Sequence, residues 1–369
     1  MRTFTRKRAL NFSRNQFERM TFPTLMRSWP LFIFCATTTR CNLACTMCPR
    51  EHLKQTGDIS LDLVRSLQPA FERAALVFLH GIGEPLLHRE FKEIVACVSK
   101  TNVARAFNTN GTLLTRDRVE CLIEHNVTYV TVSIDAATEP LYSSIRRGAH
   151  LEGVLEGMRC LNDEKAKANS RWPKLAFEFV LMQQNMSELP ALVLLAREHG
   201  VGVIRVIDLI LHSHEDSGIE EDWAEQTVRV DSELVRNTLA RARRLATDAG
   251  ITLVLPERFS NGRRGSRNGH ARVPFCHEPW ETVYVNFDGK VFPCCASTEC
   301  MGDLKKTCLD VIWNGDAYQR LRANLKSGRV PRDCAECTSR RTRSATYRTL
   351  MMKRLAAWGP FKGGLSWKA

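Results

Sequence analysis

The stretch Cys41-Asn42-Leu43-Ala44-Cys45-Thr46-Met47-Cys48 sets three thiols on one short loop, directly after a β-like apolar run at residues 31–37. Three thiolates this close cannot enclose a tetrahedral zinc without a fourth ligand from elsewhere. They can hold three irons of an iron–sulfur cubane and leave the fourth iron open. An incomplete ligand set marks a place where something else binds. A bacterial ferredoxin run is the nearest rival, and Pro49 follows Cys48 as it would there. The first spacing, however, is Cys-x3-Cys, and no fourth cysteine follows nearby.

Outward from this loop, further β-like runs fall near 75–80, 103–108, 128–134, 175–182 and 202–208. Helical periodicities lie between them, at Phe91 to Val98, Val119 to His125 and Leu189 to His199. Strands alternating with helices predict a parallel α/β layout with ligands at the C-terminal strand edge. Polar and glycine-rich residues sit where that rule wants them. Gly81-Ile82-Gly83-Glu84-Pro85 follows the second run and Asn108-Thr109-Asn110-Gly111 the third. Ser133 and Asp135 end the fourth, and Ile145-Arg146-Arg147-Gly148 comes after it.

In this order and spacing the chain resembles the radical S-adenosylmethionine superfamily. The resemblance implies an incomplete (β/α)6 TIM-like barrel carrying a 4Fe–4S cluster on Cys41, Cys45 and Cys48. It implies S-adenosylmethionine binding at Met47, Gly81, Gly83, Glu84, Asn110, Ser133, Asp135 and Arg146. A turn of small residues lets main-chain carbonyls reach the methionyl ammonium. Ser133 and Asp135 would approach the ribose, and Arg146 would fork onto the methionyl carboxylate. Two departures stand out. Ile82 separates the usual glycine pair, and Met47 replaces an aromatic residue, although methionine can pack on an adenine face.

A second thiol group reads Cys276, Gly289-x4-Cys294 and Cys334-x2-Cys337, with Pro279-Trp280 and Ile312-Trp313-Asn314 between. Asp288-Gly289 is a hairpin signal between Val283 to Phe287 and Lys290 to Phe292. This segment resembles the SPASM/twitch extension, and no cysteine follows Cys337. The resemblance implies the shortened form: one auxiliary 4Fe–4S cluster on Cys276, Cys294, Cys334 and Cys337. Cys295 is an alternative to Cys294, and zinc is the plain alternative metal for four thiols. Cys35, Cys97, Cys121, Cys160, Cys295, Cys300 and Cys308 are expected to be small buried hydrophobes.

The expected fold class is thus α/β, a partial barrel followed by a small cysteine-rich α+β twitch/SPASM-like extension. Five segments follow: a basic extension (1–30), the barrel (31–215), a connecting helix and basic loop (216–272), the auxiliary cluster domain (273–340) and a basic amphipathic tail (341–369). Among 369 residues, 44% are hydrophobic and 25% charged, which excludes disorder and collagen-like repeats. The longest apolar stretches, Trp29 to Ala36 and Ala191 to Ala196, are far below the ~20 residues of a membrane span. No secretory signal opens the chain, so a cytoplasmic location and reduced thiols are expected.

The net charge of +13 is carried by the ends: residues 1–20 hold +5 and residues 338–369 hold +8. Such ends fit an anionic membrane surface or an acidic electron donor of the flavodoxin or ferredoxin type. Tyr347, Leu350, Met351, Leu355 and Trp358 in the tail fall on spacings compatible with one helix face, which would meet a membrane or, more commonly, pack against the barrel. Nucleic acid is disfavoured, because an iron–sulfur sensor or nucleic-acid-binding protein leaves the Gly-Glu-Pro and Ser133/Asp135 motifs without a purpose.

By resemblance, the reaction is abstraction of a substrate hydrogen by a 5′-deoxyadenosyl radical, and the auxiliary cluster makes the net change an oxidation. A small molecule such as a sugar or aminocyclitol is the first substrate expected, as in twitch-type dehydrogenases. A peptide is the alternative, disfavoured by the mere 40 residues before Cys41. Glu178, Arg205, Asp208, His277 and Glu281 are substrate-side candidates without assigned roles.

Overall fold

Each apolar run becomes a strand with one face under helices. The computed structural model describes residues 5–53, 55–209, 225–228, 232–260, 276–335 and 337. The barrel strands are β1 (Phe32–Cys35), β3 (Leu76–Phe78), β4 (Ala104–Thr109), β5 (Tyr129–Ser133), β7 (Lys174–Leu181) and β8 (Val203–Asp208). They run parallel in the order β1-β3-β4-β5-β7-β8. Between them lie α2 (Leu61–Ser66), α3 (Gln68–Phe71), α4 (Phe91–Ser99), α5 (Arg116–Glu124), α6 (Glu139–Ile145), α7 (Leu151–Lys167) and α8 (Leu189–Glu198). The short strands β2 (Ala44–Cys45) and β6 (Arg146–Arg147) pair with each other, apart from the sheet.

Strand alternation divides the side chains cleanly. Ile33, Val77, Phe107, Val130, Val132, Phe177, Phe179, Ile204 and Val206 belong to the large core that includes the helices. Phe32, Leu76, Ala104, Ala106 and Tyr129 form a second apolar cluster on the inner face, near the strands' N-terminal halves. Farther along, the same inner phase brings up Asn108, Ser133, Glu178 and Arg205. The inner wall therefore turns from apolar to polar toward the C-terminal edge.

The sheet extends past the six expected strands at both edges. β9 (Thr252–Val254), which follows α9 (Glu233–Asp248), adds parallel to β8. At the other edge β10 (Thr282–Val285) pairs parallel with β1, followed by β11 (Lys290–Phe292) and β12 (Gly302–Asp303). The cysteine-rich extension thus continues the barrel sheet. Its tryptophan motifs bind it to the segment before β1: Trp280 Nε1 donates to Pro23 O (2.8 Å) and Trp313 Nε1 to Ser28 O (2.9 Å). Asn314 bonds both the N–H and the carbonyl of Met26, and buried Arg322 donates to Pro279 O and Thr24 O.

Part of the basic N-terminal extension is a folded element. Residues Arg6–Thr21 form a helix, α1, that packs under the N-terminal ends of the strands. Its buried face is polar: Arg8, Asn11, Asn15 and Glu18. Arg8 donates to the carbonyls of Ala74 (2.6 Å), Phe71 (3.1 Å) and Thr101 (3.2 Å). Asn11 bonds Trp29 and Arg73, Asn15 donates to Trp280 O, and Glu18 accepts from the N–H groups of Arg27 and Ser28. Backbone groups that would be orphaned at the strand starts gain partners this way.

The cysteine expectation is corrected in part. Cys35, Cys97 and Cys121 are buried, whereas Cys160 is half-buried and Cys295, Cys300 and Cys308 are exposed. The last three lie on the connecting segments of the extension. The loop Asn261 to Arg272, the tail stripe from Tyr347, and nearly all of Glu215 to Glu225 lie outside the described residues. Among the described residues no helix is long and apolar enough to cross a membrane.

Candidate functional site

The thiol loop leaves the C-terminal end of β1 and is seated by the loop after β3. A Cβ on Gly83 would stand 2.5 Å from Thr38 O and 2.6 Å from Arg40 O, so only glycine fits. The N–H of Glu84 donates to Arg40 O (2.8 Å). A Cβ on Gly81 would meet Ala36 Cβ at 2.6 Å. These glycines thus admit the thiol loop's own backbone. Glu84 is buried, and its carboxylate accepts from Leu86 N (3.1 Å), Thr109 Oγ1 (2.8 Å) and Asn110 N (2.7 Å). Burial pushes this carboxyl up, and the donors oppose the shift. Glu84 thereby locks the turn after β3 to the turn after β4.

That second turn reaches the thiols. Asn110 Nδ2 donates to Asn42 Oδ1 (2.9 Å) and lies 3.8 Å from Cys41 Sγ. On the far side, β2 pairs with β6 so that Cys45 faces Arg146. Arg146 Nη1 stands 3.8 Å from Cys45 Sγ, and Nη2 stands 2.6 Å from Asp135 Oδ2. Asp135 is wholly buried and also accepts from Val180 N (2.8 Å). The two residues expected at the ribose and the methionyl carboxylate therefore face each other. A carboxylate with no access to water needs such a cation. Ser133 is half-buried beside Glu178 in register, and Met47 packs against the cluster of Ile145, Met182 and Leu209.

The donor set suits an iron–sulfur cluster. Burial raises the Cys45 thiol to about 11, against the pull of Arg146, and raises Cys48 as well. Both stay protonated at neutral pH until a metal displaces the protons. Soft sulfur ligands with N–H donors aimed at them match cluster ligation, where hydrogen bonds to sulfur tune the potential. In the extension, Cys276, Cys294, Cys334 and Cys337 are all half-buried, while Cys295 is exposed. Cys294 acts electrostatically on Tyr318 and Cys295 on Tyr284, so the adjacent thiols serve different surroundings. Among the described residues no three His, Cys, Asp or Glu side chains converge as ligands of a single ion.

Between the thiol groups runs the polar part of the inner wall. Glu178 accepts from Asn108 Nδ2 (2.9 Å) and pairs with Arg205 Nη1 (2.5 Å). His80, which the sequence reading passed over as part of an apolar run, lies edge-on to Phe34 and Phe78. Its Nδ1 accepts from Asn108 N (3.2 Å), which assigns the proton of the neutral ring to Nε2. Burial lowers its pKa to about 3, with help from the Arg205 charge. The other candidates are engaged elsewhere: Asp208 with Arg258, Glu281 with Arg19 (2.7 Å), and His277 against the Phe22 ring.

Comparison with known proteins agrees with this geometry. The model of the Radical SAM superfamily matches residues 36–211, and that of the SPASM iron–sulfur cluster-binding domain matches residues 276–338. A cofactor-modifying protein for tungsten-containing aldehyde ferredoxin oxidoreductase, from Pyrococcus furiosus, is 25% identical over 84% of this chain and 87% of its own. The PqqA peptide cyclase of Gluconobacter oxydans is 24% identical over 80% and 78%. The solved structure of Streptococcus suis SuiB superposes with a TM-score of 0.64 at 16% identity, covering 97% of this chain and 81% of that one. With its fold, thiol loops and both family models in agreement, this chain belongs to the radical SAM superfamily, with a 4Fe–4S cluster, S-adenosylmethionine and a SPASM auxiliary iron–sulfur domain.

Proposed function

We propose that the chain oxidises a small polar substrate held against the inner wall between its two thiol groups. The observation that carries this reading is the paired row Asn108–Glu178–Arg205, beside the neutral His80, on the polar part of the inner wall. A substrate bearing hydroxyl or amino groups would find a carboxylate, a guanidinium and an imidazole N–H there. The first cluster would be held by Cys41, Cys45 and Cys48, and the auxiliary one by Cys276, Cys294, Cys334 and Cys337. When bound, cluster and S-adenosylmethionine supply a 5′-deoxyadenosyl radical that removes one hydrogen atom from the substrate.

Loss of a further electron and a proton would complete a two-electron oxidation: Glu178 would take the proton, and the auxiliary 4Fe–4S cluster that Cys276, Cys294, Cys334 and Cys337 would hold would take the electron. Met47, Gly81, Gly83, Asn110 and Ser133 would line the S-adenosylmethionine pocket. Glu84, Asp135 and Arg146 would hold its walls, since their polar atoms are already engaged. The names of the relatives divide between cofactor and peptide substrates, so a peptide segment entering the same wall is the second reading.

Anaerobic reconstitution with a strong reductant tests the proposal. Wild type should release 5′-deoxyadenosine and Cys45→Ala should not. Cys334→Ala should bind about four fewer irons, the content of one cubane, and still release 5′-deoxyadenosine. That variant should not form the oxidised product. Equal product from Cys334→Ala would refute the oxidative role.

A further inference from the structure

Seven large apolar side chains are exposed among the described residues, and four of them lie on α1 or in the few residues after it. Leu10, Phe17 and Met20 lie on α1, at 49%, 66% and 75% exposure, and Leu25 follows at 57%. Leu10 and Phe17 are two helical turns apart and Met20 is the next on that stripe. Arg6 precedes Leu10 by one turn and Arg14 follows it by one turn, both exposed. Lys7 is exposed too, paired with Glu72 (2.7 Å). The helix has a single acid, Glu18, and it is buried against the N–H groups of Arg27 and Ser28. The outer face is therefore cationic and apolar, with no carboxylate of its own.

We propose that this face of α1 docks on an anionic lipid surface. An amphipathic helix lies in the membrane interface when large apolar side chains on one face are flanked by Lys and Arg. Here the opposite face is already committed, because Arg8, Asn11 and Asn15 are bonded to backbone groups at the strand starts. The stripe can thus face lipid without unfolding anything. Large apolar side chains exposed along one basic helix face mark an interaction surface, and the charge among them selects a negatively charged one. The geometry also spares the catalytic end. The helix sits under the N-terminal ends of the strands, whereas the thiol loop leaves the C-terminal end of β1, so docking keeps the barrel mouth in water.

Co-sedimentation of the full chain with phosphatidylcholine vesicles, with and without phosphatidylglycerol, tests this. Binding should require phosphatidylglycerol and fall as salt is raised. The pairs Phe17→Ser/Met20→Ser and Arg6→Glu/Arg14→Glu should each weaken it by about tenfold or more, because both burial and charge contribute. Leu194→Ser, at an exposed leucine of α8, should leave it unchanged. Far-UV circular dichroism should match wild type throughout, since every altered side chain is exposed. Three outcomes would overturn the proposal: no sedimentation of wild type, binding that does not depend on phosphatidylglycerol, or binding that both α1 pairs retain. The last would assign the lipid contact to another part of the chain.

Discussion

Replacing Arg146 with methionine keeps side-chain length and removes the one cation, among the described residues, within salt-bridge distance of Asp135. The carboxylate would then be buried with one donor, Val180 N–H. Breaking a buried ion pair this way costs about 3–5 kcal/mol. Protonation sets a ceiling. Neutralising a carboxyl with an unfolded pKa near 3.9 costs about 4 kcal/mol at pH 7, at 1.36 kcal/mol per unit. The loss should therefore lie at about 3–4 kcal/mol at pH 7. Folded Arg146→Met would hold a proton that its unfolded state releases, so its stability rises as pH falls toward 4. At pH 5 the deficit should shrink to about 1.5 kcal/mol. Urea unfolding of the iron-free, reduced chain, followed by tryptophan fluorescence, measures this directly. The double variant Asp135→Asn/Arg146→Met should recover most of the loss and show no such pH dependence. A single-variant cost below about 1 kcal/mol, or one equal at pH 7 and pH 5, would show that the pair is not the buried charge couple described.

Three further outcomes follow from named contacts. Gly83→Ala should displace the thiol loop, because the new Cβ would meet two carbonyl oxygens at 2.5 and 2.6 Å; iron bound after reconstitution should drop by about four per chain. His80 stays neutral in the fold down to about pH 3, whereas the unfolded ring takes a proton near 6.5. Its contribution is complete above pH 6.5 and falls by at most about 2.7 kcal/mol at pH 4.5, so His80→Phe should flatten the acid limb of a urea-midpoint profile. Arg8→Met should leave three carbonyls without their donor and cost about 2–4 kcal/mol in the same unfolding assay, with secondary structure intact.

What could be read in the sequence was whatever has a local cause. The barrel strands were legible because alternating side chains such as Val130 and Val132 bury one face. The hairpin around Gly289 was legible because its φ of 89° demands glycine. The thiol groups were legible because ligand spacing is a local property. What stayed hidden was partnership between distant residues. Nothing local to Thr282–Val285 says that it pairs with β1, and nothing near Thr252–Val254 says that it closes the other edge. The contact between Asp135 and Arg146 was hidden too, because it depends on how β6 returns to β2. His80 sat unnoticed in an apolar run, although a histidine there is the signal of an inner-wall group. Arg8, Asn11 and Asn15 carry no local sign of burial, since a helix that buries its polar face inverts the usual pattern.

The two edges of the sheet bear on how a substrate could meet both thiol groups. Because β10 runs parallel to β1, the residues before it, Cys276 among them, stand at the N-terminal end of the wall. β11 then runs back along β10, and Cys294 lies two residues beyond Phe292, the partner of Tyr284, so it returns to the same end. The loop bearing Cys41, Cys45 and Cys48 leaves the opposite end of β1. The four residues of β1 span about 13 Å at about 3.3 Å each, a distance of the size of a small molecule with its hydrogen-bond partners. Glu178 and Arg205 belong to the polar half of that span. With Glu178 largely buried and Arg205 at 35% side-chain exposure, the pair compensates its own charges without a substrate, and the guanidinium stays partly exposed. An apolar wall would hold no orientation, and an unpaired charge would be costly to bury. The paired row meets both demands, which is why the proposed substrate is polar.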